Sequence, residues 1–202
     1  MPVREENHIP DDQKTKTKTR CAWVPVGDAL YEAYHDTEWG VPVFEDRKIF
    51  EFLVLESAQA GLSWIMVLRK RENYRRAFAD FDPEQIARFS SPKIERLLQN
   101  PGIIRNRLKI EAAINNARRF LQVQKEFGAF SKYIWGFVDG KPIRNNWKKH
   151  SQLPVTTRRA EALSKDLKQR GFKFLGPTVL YAHMQATGMV NDHTVDCFRY
   201  HL

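Results

Sequence analysis

Apolar residues recur at helical spacing along most of this chain, while the two-residue alternation of half-buried strands is scarce. Ile49, Phe50, Leu53 and Val54 mark one helical face, and Trp64, Val67, Leu68 and Arg71 resume after a break at Gly61. Ile94, Leu97 and Leu98 lead into the Pro101-Gly102 turn. Ile104, Leu108, Ala112, Ala117, Phe120 and Leu121 predict a long amphipathic helix, and further helical patterns run through about 128–138, 158–169 and 178–188. The expectation is an all-α domain of eight or more helices.

Length and charge narrow this further. A chain of 202 residues suits one domain, or two lobes sharing a core. Residues 1–20 are polar, with alternating Lys and Thr from Lys14 to Thr19, and read as a flexible tail; residues 21–202 read as the single globular domain. The formal charge is +9, of which the tail holds only +1. The folded part is thus basic, and a polyanion such as nucleic acid is the natural partner, although a basic but ordinary soluble protein fits charge alone. No apolar run approaches the ~20 residues of a membrane span. The N-terminus lacks an apolar signal core, so a cytoplasmic protein is expected.

The two cysteines, Cys21 and Cys197, are expected as thiols in a reducing compartment. Thirteen residues separate Cys21 from His35, and His193 and Cys197 stand at i, i+4, on one face if that segment is helical. Two thiols and two imidazoles suit a closed tetrahedral zinc. Two core cysteines with two satisfied histidines fit the spacing as well. Neither His-Glu-x-x-His nor the zinc-deaminase signature is present, which argues against hydrolytic zinc.

Glu56 has Phe52, Leu53 and Ala60 as its helical neighbours, and a carboxylate there needs a donor or a cation. It is either a rim residue paired with a surface arginine or the wall of a pocket for a polar or cationic ligand. Trp23, Tyr31, Tyr34, Trp39 and Trp64 are core residues by default. Around a carboxylate, such rings would suit a planar cation by stacking and cation–π attraction. Gly171 and Gly176 bracket a short stretch between two helical patterns, with Lys173 inside and Thr178 just beyond. This is either an ordinary turn or a helix–hairpin–helix that holds a DNA phosphate on its amides. Pro101–Arg107 is a second turn with two arginines. Asp139–Pro154 reads as a solvated surface loop, with Trp147, Lys148 and Lys149 within reach of nucleic acid.

Taken together, Cys21-Ala22-Trp23, Ala33–Pro42, Leu55-Glu56 with Ala60–Trp64, Leu68–Arg75, Gly102–Arg105, Arg170–Gly176 and Val190–His193 with Cys197 resemble the 3-methyladenine DNA glycosylase I family of the helix–hairpin–helix superfamily. The resemblance covers nearly the whole chain after residue 20. It implies hydrolysis of the N-glycosidic bond of 3-methyladenine in alkylated double-stranded DNA. The base would be flipped into the pocket and released, leaving an abasic site, with no lyase step. It implies one structural Zn2+ on Cys21, His35, His193 and Cys197. It places Glu56 and Tyr34 as the catalytic pair that hydrogen-bonds the base, and Trp64 as the stacking ring, with Trp23, Tyr31 and Trp39 beside them. Gly171, Lys173, Gly176 and Thr178 become the DNA contacts. A monomer acting in the bacterial cytoplasm, at the nucleoid during repair, completes the picture. The Cys21–His35 spacing is one residue longer than the family pattern. Asp192 adjoins a proposed ligand, and an orienting role there competes with a catalytic one.

Three other readings are weighed against this one. They are a metal-stapled DNA-binding module without catalysis, a related glycosylase with another lesion range such as 7-methylguanine, and a hydrolase of small molecules.

Overall fold

The computed structural model describes residues 18–201. The expected tail falls mostly on residues 1–17, outside the described residues. At its end the chain already packs: the Thr19 carbonyl accepts from the Phe198 amide, and Arg20 pairs with Asp36 and Glu32.

Nine α-helices form among the described residues: α1 (Ala29–Thr37), α2 (Asp46–Gln59), α3 (Trp64–Ala77), α4 (Pro83–Ala87), α5 (Ser91–Gln99), α6 (Arg107–Phe127), α7 (Phe130–Trp135), α8 (Arg158–Gln169) and α9 (Pro177–Ala186). Their starts follow local chemistry. The Asp28, Asp82, Asn106 and Thr157 side chains accept from first-turn amides of α1, α4, α6 and α8, satisfying donors the helix itself cannot. Gly128, left-handed at φ 80°, ends α6. None of the helices described is long and apolar enough to cross a membrane.

The core is organised on α2, where every residue from Ile49 to Ala58 is buried. A helix apolar on all sides belongs in the middle of a fold, and α2 packs against α3, α6, α7 and α9. Two glutamates on α2 are buried with it. Glu51 meets Arg71, Arg75 and Lys48 at 2.7, 2.9 and 3.2 Å. Arg71 also grips both oxygens of Glu38, at the end of α1. Glu56 has no such company.

Two departures from the sequence expectation shape the site. The segment Asp139–Pro154 is exposed over most of its length, as a surface loop should be, but it is anchored. Its strand β1 (Ile143–Arg144) pairs in parallel with β2 (Val190–Asn191), in register Ile143 to Val190. Two residues per strand leave no visible alternation, so the polar composition masked them. The segment holding His193 and Cys197 is also not helical. Cys197 is brought round by a turn in which its amide bonds to the Thr194 carbonyl.

Just beyond α9, Gly188 takes φ +66°, and a Cβ there would lie 2.3 Å from backbone atoms of Val41 and Pro42. Gly188→Ala therefore combines a left-handed penalty with a backbone clash. It is expected to cost about 3 kcal/mol or more, read as a lower midpoint in urea unfolding.

Candidate active site

Aromatic side chains from the α1 region and the start of α3 surround one cavity of about 370 Å³. Trp23, Tyr31, Tyr34 and Trp39 form one side, and Trp64 closes it from α3. The Tyr34 and Trp64 rings are 5.2 Å apart, and Trp23 meets Tyr31 and Trp39 edge-on at 5.3 and 5.1 Å. Glu56 and Gln59, three positions apart on α2, supply polar groups from the core side. Thr178, Tyr181, Ala182 and Gln185 line the opposite wall. They fall at helical spacing on one face of α9. His150, Leu153, Pro154 and Val155 form a lip at the edge.

Glu56 is 4 % exposed, and among the described residues it makes no side-chain hydrogen bond or ion pair. Burial alone pushes its carboxyl up to about 8. The Tyr34 phenol is raised well above its usual range, by burial and then by Glu56, so it stays a donor. A buried carboxyl left without a partner is costly. Its sister Glu51, on the same helix, is neutralised by three cations. Glu56 is thus the one buried glutamate of α2 left without a cation among the described residues.

Behind the rings lies a cluster of four. Cys21, His35, His193 and Cys197 are all buried, and their donor atoms lie within 4.8 Å of one another. Three sulfur–nitrogen edges measure 3.4 Å. A tetrahedral ion with Zn–S and Zn–N bonds of normal length has such edges at roughly 3.5 Å. Each imidazole is oriented from outside. His35 Nδ1 sits 2.8 Å from Asp36, itself held by Arg20 and thereby lowered to about 2. His193 Nε2 sits 3.1 Å from the Trp39 carbonyl. The other nitrogen of each ring is left facing the thiols, as metal ligation requires. Hydrogen bonding to Cys21, then to His193 and His35, holds the Cys197 thiol well below the usual thiol range. These residues could hold a metal ion. Gly40 makes room for the cluster, since a Cβ there would stand 3.0 Å from His193.

The profile of the methyladenine glycosylase family matches residues 23–200. The chain belongs to this family. It is 51% identical over 181 residues to DNA-3-methyladenine glycosylase 1 of Escherichia coli strain K12, covering 90% of this chain and 96% of that protein. A crystal structure of 3-methyladenine DNA glycosylase I superposes with a TM-score of 0.88 at 52% identity, covering 90% of this chain and all of the other. A tyrosine-to-phenylalanine variant of 3-methyladenine DNA glycosylase I, solved in complex with 3-methyladenine, superposes with a TM-score of 0.87 at 40% identity, over 90% of this chain and 97% of that one.

Within the family fold, every pocket residue expected from sequence faces the one cavity: Glu56, Tyr34, Trp64, Trp23, Tyr31 and Trp39. The four expected ligands meet in one cluster. The stretch Gly171–Gly176 is the short connection between α8 and α9. The Asn116 side chain clamps it by accepting from the Lys173 amide and donating to its carbonyl, both at 2.8 Å. Gly171 suits this turn because its backbone is left-handed, at φ +84°. Lys173 and Gly176 are exposed on this connection, whereas Thr178 lines the cavity, so connection and pocket adjoin. Sequence reasoning missed Gln59, the α9 face and the lip. Gln59 was recoverable from its spacing to Glu56; the α9 face has the spacing of an ordinary core stripe.

Proposed function

We propose that this chain removes 3-methyladenine from alkylated double-stranded DNA by hydrolysing its N-glycosidic bond, flipping the damaged nucleotide into the ring-lined cavity and releasing the free base to leave an abasic site. The observation that carries this reading is the buried, unpartnered Glu56 facing the Tyr34 and Trp64 rings. N3-methylation makes the base a planar cation and a good leaving group. Glu56 complements that charge and accepts from the adenine edge, while Tyr34 donates and fixes orientation. Trp64 supplies the stacking face, and Trp23, Tyr31 and Trp39 bound the slot. An unmodified neutral adenine would face a carboxyl with no charge to meet, so discrimination falls on the pocket. No lysine lines the cavity among the described residues, which supports hydrolysis without a Schiff base.

The exposed hairpin carrying Gly171, Lys173 and Gly176 meets the DNA backbone. Its closeness to Thr178 sets the flipped nucleotide at the cavity mouth. The Cys21–His35–His193–Cys197 cluster holds one structural Zn2+, for which two thiolates and two imidazoles are a fitting donor set. Action as a monomer belongs to the same proposal. Thiolate ligands suit the reducing bacterial cytoplasm, where the enzyme would work on the nucleoid.

Chromatography of bases released from methylated duplex DNA tests the reading, and 3-methyladenine should be the product. Its pH dependence carries a sign. With its carboxyl near 8, Glu56 holds a proton in the empty pocket below that pH. A cationic base must expel that proton before the charge pair forms. Release at sub-saturating DNA should therefore rise from pH 6 to about 8 and then level off, by at most about tenfold per pH unit. A flat profile over this window would remove Glu56 from base recognition.

A further inference from the structure

Asp192 is the most heavily hydrogen-bonded carboxylate near the cavity, and it lies outside the cavity lining. It is 1 % exposed and follows β2 directly. Its Oδ1 accepts from Asn145 Nδ2 at 2.7 Å and from Trp147 Nε1 at 2.8 Å. Its Oδ2 accepts from the Tyr181 hydroxyl at 2.6 Å and from Gln185 Nε2 at 2.7 Å. A carboxylate offers about four lone-pair sites, and here four donors occupy them.

The donors come from two walls of the same cavity. Tyr181 and Gln185 line it, one helical turn apart on α9. Asn145 and Trp147 belong to the segment that runs into the lip at His150–Val155. That segment is tied down at its root by the pairing of β1 and β2, by the Val195 amide donating to the Trp147 carbonyl at 2.9 Å, and by Asn146 with Tyr200. Past Trp147 the hydrogen bonds among the described residues are local: Lys148 and Lys149 amides to Gln152, and Leu153 to His150. The position of the lip relative to α9 is thus set where Asp192 joins them.

We propose that Asp192 is a positioning residue that fixes the lip against helix α9. The proposal rests on the cavity being the base-binding site. All four lone-pair directions are spent on side chains that need them. The Tyr181 phenol, pushed far up by burial and then by Asp192, remains a donor throughout the working pH range.

The test uses the full chain with Asp192→Asn and, as a milder variant that touches neither cavity nor cluster, Trp147→Phe. Three readouts are taken well below the melting temperature of each: single-turnover release of 3-methyladenine against pH, affinity for the free base by tryptophan fluorescence, and tryptic cleavage after Lys148 and Lys149. Asp192→Asn should slow release about 10- to 100-fold, as misplacement of a pocket wall does, and Trp147→Phe should slow it less. Both should keep the wild-type shape of the pH profile, weaken free-base binding and speed cleavage of the lip. Loss of the pH dependence in Asp192→Asn, with free-base affinity intact and Trp147→Phe behaving as wild type, would make Asp192 the base and overturn the proposal. Unchanged lip cleavage in both variants would overturn it as well. If Asp192→Asn does not fold, Trp147→Phe decides alone. A wild type that releases no 3-methyladenine sinks the functional reading instead, and lip cleavage, which needs no substrate, still judges Asp192.

Discussion

Glu56→Gln should lose most of its excision activity and, at the same time, become more stable than the wild type at alkaline pH. The two effects share a cause. In the unfolded chain the carboxyl ionises near its ordinary value of 4.5, and in the empty fold near 8. The folded state therefore holds a proton that the unfolded state has lost, and stability falls as pH rises between those values. Above about 8 the folded protein bears the full penalty of a buried, unpaired carboxylate, on the order of a few kcal/mol. An amide of the same shape relieves it. At about 2–4 °C per kcal/mol for a chain of this size, the melting temperature of the variant should exceed that of the wild type by several degrees at pH 8–9, and by little at pH 5. Excision should fall by about 100- to 1,000-fold, the range for removing one preorganised charge-stabilising group. Differential scanning calorimetry at the two pH values and single-turnover base release check the pair. A variant that is less stable at pH 9, or one that excises at the wild-type rate, contradicts the account of the pocket.

Cys197→Ser should abolish metal binding by the proposed zinc cluster and lower both stability and activity. The four donor atoms come from residues 21 and 35 near one end of the described chain and 193 and 197 near the other. The ion would bring these distant parts together, and its binding free energy is folding free energy. Losing a structural metal ranks among the largest single-site effects, above about 4 kcal/mol, so the melting temperature should drop by roughly 10 °C or more. Activity should fall with it, because the rings lean on the ligands. His193 meets Trp39 edge-on at 4.6 Å, and His35 meets Trp23 at 5.3 Å. Elemental analysis should find one zinc per wild-type chain and a strong chelator should reproduce the variant's lower melting point. Fully stable wild-type protein free of metal would refute the assignment.

Much of this arrangement was legible in the residues themselves, for identifiable reasons. Helices such as α2, α3 and α6 carry long apolar repeats, which are the strongest local signal a chain offers. The Cys and His pairs stood out because thiols are rare here and their chemistry is narrow. Glu56 was visible only as a dilemma, a rim residue or a pocket wall, because its lack of a partner is a tertiary fact. The arginine pairing considered for Glu56 belongs instead to Glu51. The i, i+4 spacing of His193 and Cys197 does not tell a helix face from the tight turn that carries them, since four residues fit both. The lip at His150–Val155 left no trace, because it is held through Asn145, Trp147 and a distant aspartate rather than by any pattern of its own.

The cluster behind the rings also bears on the order in which the molecule can assemble. Its cysteines lie 176 positions apart, and the cavity joins residues before 65 to residues after 149. Contacts so remote along the chain are slow to close, while α6 and its near neighbours need only local pairing. The catalytic chamber is accordingly expected among the last parts of the molecule to take shape. A chain halted short of that closure can already be richly helical and yet have nowhere to seat a damaged base.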